Sequence, residues 1–505
     1  MKNKKVKLLA LLLTAVVGCT ACGQQDNSTG ESKESAGDKE AVELEMVCNY
    51  GVTLPDKEDN FVEQTIKEAI GVDVTLNIVG AGADYTTALN ARISGGDIPD
   101  LFLIPNTSVL TQYVDNNVVL NLNDYLDQLQ PYVDYIGGEA ALKVNTYNGG
   151  VYTIPRLENG SYSTWVVRQD WLDKVGAEAP TTMEEALEVA KKITFEDPDG
   201  NGAQDTYGFS GNGLRAFNGI LNSYGGATSN IIMVEDGEVT SALLAPNMKQ
   251  GLEMCKQFVD AGVVDPDIMA NNDESTREKM AQGKLGMAAF NWAAMYKQVF
   301  MDQLTAVDPN ADWVWFAPLE SGTGDRACYE TISAVSQKGV WCVSAEIAEN
   351  PDKLDAVVKL LNYIASDEGE RLVDYGIEGR HYNIVDGEVQ KTDLMSTECD
   401  YLWAYQIGHR PESEYLAVKF PEAVEVIQFA ANMERIVSYN DAVIAPEGFH
   451  KEDMDKYIEE NILSFIYGTR DISEYDQFIE ELNNSFGFNE FMESAEEQLK
   501  EKGLV

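Results

Sequence analysis

The chain has 505 residues, with 84 Asp or Glu against 37 Lys or Arg and a formal charge of −47. So acidic a surface repels nucleic acid and anionic lipid headgroups, which excludes both as charge-driven partners. At 44% apolar the sequence can bury a large core, and its length predicts a division of that core between two lobes.

The first 22 residues read as an export signal. Lys2, Lys4, Lys5 and Lys7 make a basic start, Leu8–Val17 a short apolar run, and Gly18-Cys19 the small residues before a cut. The run is about half the roughly 20 residues of a membrane-spanning helix, and no longer one follows Cys22. Val16-Val17-Gly18-Cys19 resembles a bacterial lipobox, which makes Cys19 the expected acylated residue and residues 1–18 a lipoprotein signal peptide. Cys22 is the alternative, with a cysteine at its −3 position; an ordinary cleaved signal is another. Residues 19–41 include the polar, Ser/Gly-rich stretch DNSTGESKESAGDKE and are expected to form a disordered tether.

The folded part is predicted from Val42. Val42, Leu44, Met46 and Cys48 alternate as in a strand; Phe61, Val62, Thr65, Ile66, Ala69 and Ile70 follow helical spacing up to Gly71. Val72, Val74, Leu76 and Ile78 alternate again, Tyr85–Ile93 is helical, and Leu101–Ile104 reads as a buried strand. Strand–helix–strand–helix–strand predicts a parallel α/β sheet. A second unit is predicted around Tyr162, with strands at Trp165–Val167, Gly286–Phe290 and Trp313–Phe316. Helices are predicted to open at Pro180-Thr181-Thr182 and Asn350-Pro351. The region beyond Ser413 is mostly helical and acidic. Cys48, Cys255, Cys328, Cys342 and Cys399 are scattered without a CxxC pair and read as buried free thiols; His381, His409 and His450 lack metal-binding spacing.

Asp197-Pro198-Asp199-Gly200-Asn201-Gly202-Ala203-Gln204-Asp205 fits D-x-D-x-N-G-x-x-D. The side-chain oxygens of Asp197, Asp199, Asn201 and Asp205 and the Ala203 carbonyl are expected to wrap a structural Ca²⁺, with Gly202 at the sharp turn. Position 12 is Gly208 rather than glutamate, against a full EF-hand. An Asp/Asn/Gly turn without metal is the alternative.

Several segments together carry a family resemblance: Ser94-Gly95-Gly96-Asp97-Ile98-Pro99-Asp100, Tyr152-Thr153-Ile154-Pro155, Val167-Arg168-Gln169-Asp170-Trp171-Leu172, Pro180-Thr181-Thr182, Gly286-Met287 with Asn291-Trp292, and Tyr375-Gly376-Ile377-Glu378-Gly379. In these the chain resembles the family 1 extracellular solute-binding proteins of bacterial ABC importers, above all the LipO-type lipoproteins and alginate- or oligosaccharide-binding proteins. The resemblance implies a bilobal α/β fold of the type II periplasmic-binding-protein kind, with lobe 1 at 42–158 and 331–395 and lobe 2 at 159–330 and 396–505. It also implies hinge closure on a carbohydrate, delivery to an ABC transporter permease, a monomer, and a place on the extracellular face of the cell membrane held by the lipid anchor alone. The alginate-binding relatives have an acid after the last aspartate of the loop, where this chain has Thr206.

Sugar sites pair aromatic faces with polar groups that fix orientation. The ligand-binding candidates are Trp292 and Asn291, placed by the resemblance; Tyr162 and Trp165 at the expected crossover; and Glu378, Arg380, Tyr382 and Trp403. Arg168, Arg380 and Arg410 are candidates for a ligand carboxylate, an internal ion pair being the alternative for each. Trp171 is expected in the core, and of Trp313 and Trp315 one at most faces the cleft. A peptide or amino-acid-like ligand on the same fold remains open. A surface glycoside hydrolase is the remote alternative: paired carboxylates cannot be picked out among so many acids, but no P-loop, G-x-S-x-G or H-E-x-x-H motif is present.

Overall fold

The computed structural model describes residues 41–80, 82–104, 107–144, 146–154, 162–291, 298–324, 331–334, 340–408 and 412–505. The proposed signal peptide and tether, Cys19, Trp292, Cys328, His409 and Arg410 lie outside the described residues. The fold is α/β and bilobal, and its two large buried clusters define the lobes.

The first lobe begins with β1 (Val42–Cys48), α1 (Phe61–Ile70), β2 (Val72–Ile78), α2 (Gly82–Ser94) and β3 (Leu101–Ile104). The Asn60 side chain caps α1, and Gly71, at φ 69°, ends it in the left-handed conformation that a side chain would strain. Strands β2 and β3 both run parallel to β1, as the β–α–β–α–β pattern predicts. All four residues of β3 are buried, because helices cover both faces of such a sheet.

The second lobe is built on β4 (Ser163–Arg168), which lies between β5 (Met287–Asn291) and β6 (Trp313–Phe316), antiparallel to both. Every residue of β4 is buried, as its central place requires. Helix α3 (Met183–Phe195) opens on a capping box: Thr182 and Glu185 satisfy each other's backbone N–H groups, and Met183, Ala186, Val189, Ala190 and Ile193 enter the core. Glycines allow close packing here; a Cβ at Gly219 would stand 2.7 Å from the Trp165 ring.

The chain then passes through β7 (Ile332–Ser333) back to the first lobe. There β8 (Val340–Val343) joins the sheet antiparallel to β3, giving the order β8–β3–β1–β2. Helix α4 (Pro351–Ile364) packs on it and α5 (Asp367–Tyr375) packs on α4 and α1, with Asn350 capping α4 as predicted. Helix α6 (Val424–Ala431) sends Val426, Ile427 and Ala430 into this same core. The expected division placed 396–505 in lobe 2. The buried residues from Tyr401 to Ala430 pack in the first core, and those from Ala442 to Leu499 in the second.

The final crossing is β9 (Val437–Ser438), which pairs in parallel with β7. Ile332 N–H donates to the Ile436 carbonyl at 2.9 Å and Ala334 N–H to that of Ser438 at 2.8 Å. The Arg435 guanidinium donates to the Ser163 carbonyl at 3.3 Å and to that of Met433 at 2.9 Å. The crossings at Ser163, Ile332 and Val437 are thus tied side by side into one narrow hinge.

Candidate functional site: the cleft between the lobes

Strand direction locates the cleft. Parallel β1, β2 and β3 end together at Cys48, Ile78 and Ile104, and β8 begins at that edge opposite Ile104. In the second lobe Ser163, Asn291 and Phe316 share one edge, because Ser163 pairs with Asn291 and Trp165 with Phe316. The crossings join these two edges. In open α/β sheets ligands sit outside the carboxyl ends of parallel strands, the side on which the lobes meet here.

An aromatic group marks the first-lobe edge. Tyr50, just past β1, lies 4.8 Å from the Trp403 ring and 6.4 Å, edge-on, from that of Trp341. Beside the hinge is a cavity of about 640 Å³ with walls from both lobes. Ala317 and Pro318, after β6, supply one wall. Glu425, Gln428, Phe429 and Asn432 supply the other, at i, i+3, i+4 and i+7 along α6 and its end, with Met433 and Glu434 beyond. The helix holds this stripe out because its opposite side fills the first core. Trp315 reaches across from β6 to within 6.3 Å of the Phe429 ring, while Trp313 lies near the Arg168 guanidinium, 5.9 Å from ring centre.

The candidates from sequence do not gather in one place. Asn291 ends β5 at the cleft edge and is exposed; Trp403 is half-buried against Tyr50. Tyr162 is buried in the first core at the crossing. Trp165 is fully enclosed and stacks on Phe316 at 5.8 Å. Arg168 is 1% exposed. It forms a bidentate pair with Asp170 at 2.7 Å, bonds Asp308 at 2.9 Å and lies 4.5 Å from the centre of the buried Trp171 ring. Arg380 pairs with Glu398 on the surface, which raises the guanidinium pKa and lowers that of the carboxyl, each mainly through their hydrogen bond. Glu378 bridges to the buried Tyr382 within the same turn. Arg380 also lines a cavity of about 690 Å³ in the first lobe, beside Phe61 and Tyr401. Sequence reasoning missed Tyr50 and the α6 stripe. Tyr50 was accessible through its place directly after a parallel strand, whereas the stripe reads like any solvated helix face.

In the loop at 197–205 the side chains converge through hydrogen bonds. Gly202 N–H donates to Asp197 at 3.0 Å, and the Asn201 amide nitrogen donates to Asp199 at 2.7 Å and Asp205 at 3.1 Å. The other Asp197 carboxyl oxygen is buried without a partner, and Asp197 adopts φ 47°. Burial, with Asp197 and Asp205 close by, raises the Asp199 carboxyl pKa. Among the described residues no group of three or more His, Cys, Asp or Glu is arranged to hold a metal ion. Among them also no helix is long and apolar enough to cross a membrane.

A bilobal fold with a hinge at one side of an aromatic-edged cleft defines a solute receptor. The chain belongs to the bacterial extracellular solute-binding proteins, whose family model matches residues 61–374. The family is one of binding proteins, not enzymes. Over 97% of both chains it is 23% identical to Lipoprotein LipO of Bacillus subtilis, and over 99% of this chain and 100% of the other it is 24% identical to that organism's polygalacturonan/rhamnogalacturonan-binding protein YtcQ. Among solved structures it shares its fold with the alginate-binding protein AlgQ2 without calcium ion (TM-score 0.71, 18% identity, covering 92% of this chain and 98% of that one). It does so too with the EF-hand mutant of Streptococcus pneumoniae FusA in complex with fructo-nystose (TM-score 0.70, 17% identity, covering 92% and 99%).

Proposed function

We propose that this chain is a lipid-anchored receptor on the extracellular face of the cell membrane. It captures an oligosaccharide between its lobes as a monomer and delivers it to the permease of an ABC importer. The observation that carries this reading is the cavity beside the hinge. Its walls come from both lobes, so a ligand bound there is held by both and favours the closed state by its differential contacts. Its lining supplies an aromatic ring among amides and carboxylates, which suits a sugar's apolar face and its hydroxyls. The carbohydrates in the names of YtcQ and the solved neighbours support the same class. Trp403 at the cleft edge, and Asn291 with Trp292 at and after the end of β5, are proposed as further ligand contacts.

The test is thermal-shift screening of the full chain against neutral oligosaccharides, oligouronides and short peptides. A ligand at 100 times Kd raises stability by about 2.7 kcal/mol. Stabilisation by peptides alone overturns the carbohydrate reading.

We also infer that the 197–205 loop holds a structural Ca²⁺. The oxygens of Asp197, Asp199, Asn201 and Asp205 and the Ala203 carbonyl would hold it, cancelling crowded negative charge. The unpartnered buried oxygen of Asp197 supports this, as does the EF-hand of FusA. The lipobox-like sequence ending at Cys19, and the name of LipO, support acylation there.

A further inference from the structure

Resting on that carbohydrate reading, we propose that the cavity between α6 and the end of β6 is a saccharide subsite that takes an uncharged sugar unit and disfavours a uronate. Its charged lining is acidic: Glu425 and Glu434, with the amides of Gln428 and Asn432 and the ring of Phe429 between and beside them. Among the described residues no Lys or Arg lines it. Arg435, which follows Glu434 in sequence, directs its guanidinium to the Met433 and Ser163 carbonyls, and its Nε is buried. A carboxylated sugar seated here would place a third negative charge beside two others, and like charges set side by side repel. A neutral sugar instead offers hydroxyl donors to the two carboxylates and both donors and acceptors to the two amides, while its apolar face lies on Phe429.

The arrangement is built rather than incidental. Val426, Ile427 and Ala430 anchor α6 in the first core, so Glu425, Gln428, Phe429 and Asn432 keep their spacing. Trp315, half-buried on β6, packs against the first core and supports the Phe429 ring from the other lobe. The subsite therefore completes itself across the hinge, and its charge selectivity is set by residues that both lobes position.

The experiment measures the affinity of the full chain by calorimetry for neutral tri- and tetrasaccharides, for trigalacturonate and for its methyl ester. The parent should bind neutral sugars, and trigalacturonate about tenfold or more weakly than its ester. Glu425→Gln with Glu434→Gln, both exposed positions, should leave the melting temperature unchanged and shrink that ratio at least threefold. Phe429→Ala should weaken neutral binding about fivefold, with Gln428→Ala as a surface variant should the former fold poorly. Trigalacturonate binding as tightly as its ester, or a ratio indifferent to the paired Gln variant, overturns the charge selectivity and leaves a carbohydrate receptor standing. Binding of peptides and no saccharide overturns the carbohydrate reading and this inference with it.

Discussion

Arg168 offers a decisive perturbation, because it was a candidate for a ligand carboxylate and sits in a buried ion network. Its side chain is 1% exposed, that of Asp170 19% and that of Asp308 36%. In Arg168→Met the stem still packs on Trp171, but both carboxylates lose their cation. Breaking a buried pair by removing one partner costs about 3–5 kcal/mol. The Asp308 share is discounted to under about 1 kcal/mol, since more than a third of that side chain meets water. The expected loss is then about 3 kcal/mol, or roughly 6–12 °C in the melting temperature of a lobe of this size. The loss should depend on pH. Asp308 titrates below the usual carboxylate range, through the Asn310 N–H first and Arg168 among the further causes. A depressed pKa stabilises above the unfolded value of about 3.9 and ceases to as pH falls through the folded value. The part of the gap that runs through Asp308, under about 1 kcal/mol, should therefore be present at pH 7 and shrink towards pH 3. The assay is calorimetric melting at pH 7, 5 and 3, with affinity for the best saccharide at pH 7. A variant that melts like the parent while losing tenfold in affinity would falsify the structural role.

Other outcomes follow from different parts of the molecule. EGTA should lower the melting temperature and added Ca²⁺ restore it, because the loop carboxylates otherwise repel; identical curves with no calcium by elemental analysis refute the metal site. Cys19→Ala should release unprocessed or soluble protein from the membrane fraction; unchanged fractionation and migration would move the anchor to Cys22. Glu63 is buried, with one carboxyl oxygen accepting from the Leu76 N–H and the Tyr405 hydroxyl, and burial raises its pKa. A raised carboxyl pKa destabilises increasingly as pH climbs from the unfolded value of about 4.3 through the folded one. Glu63→Gln should therefore match or exceed the parent in stability at pH 7 and lose that advantage below pH 4. A variant markedly less stable at pH 7 shows that the ionised form is required.

The fold was legible where one physical constraint acts on a long segment. Strands β1 and β2 alternate because each must bury side chains on a pleated sheet, and the caps at Thr182 and Asn350 are local hydrogen-bond devices written in single residues. The third crossing was not legible, because β9 is two residues long, too short for periodicity. The return of Tyr401–Ala430 to the first core was equally hidden: a helix packed on either lobe shows the same apolar stripe.

The candidate site was harder still, for a reason its residues make plain. Trp165 and Arg168 have the residue types that bind sugars and carboxylates, yet both lie on β4, and a central strand buries every side chain it carries. Residue type alone does not tell a ring that faces a ligand from one that faces Phe316; position relative to a sheet edge does. Asn291 ends its strand at the edge where the crossings leave, and Tyr50 begins at the carboxyl end of a parallel strand. Phe429 illustrates the converse. On a helix surface, one aromatic among Glu425, Gln428 and Asn432 looks like ordinary exposure, and it gains meaning only when Trp315 arrives from the other lobe. A site assembled by two lobes has no contiguous signature, because each half taken alone is a plain surface.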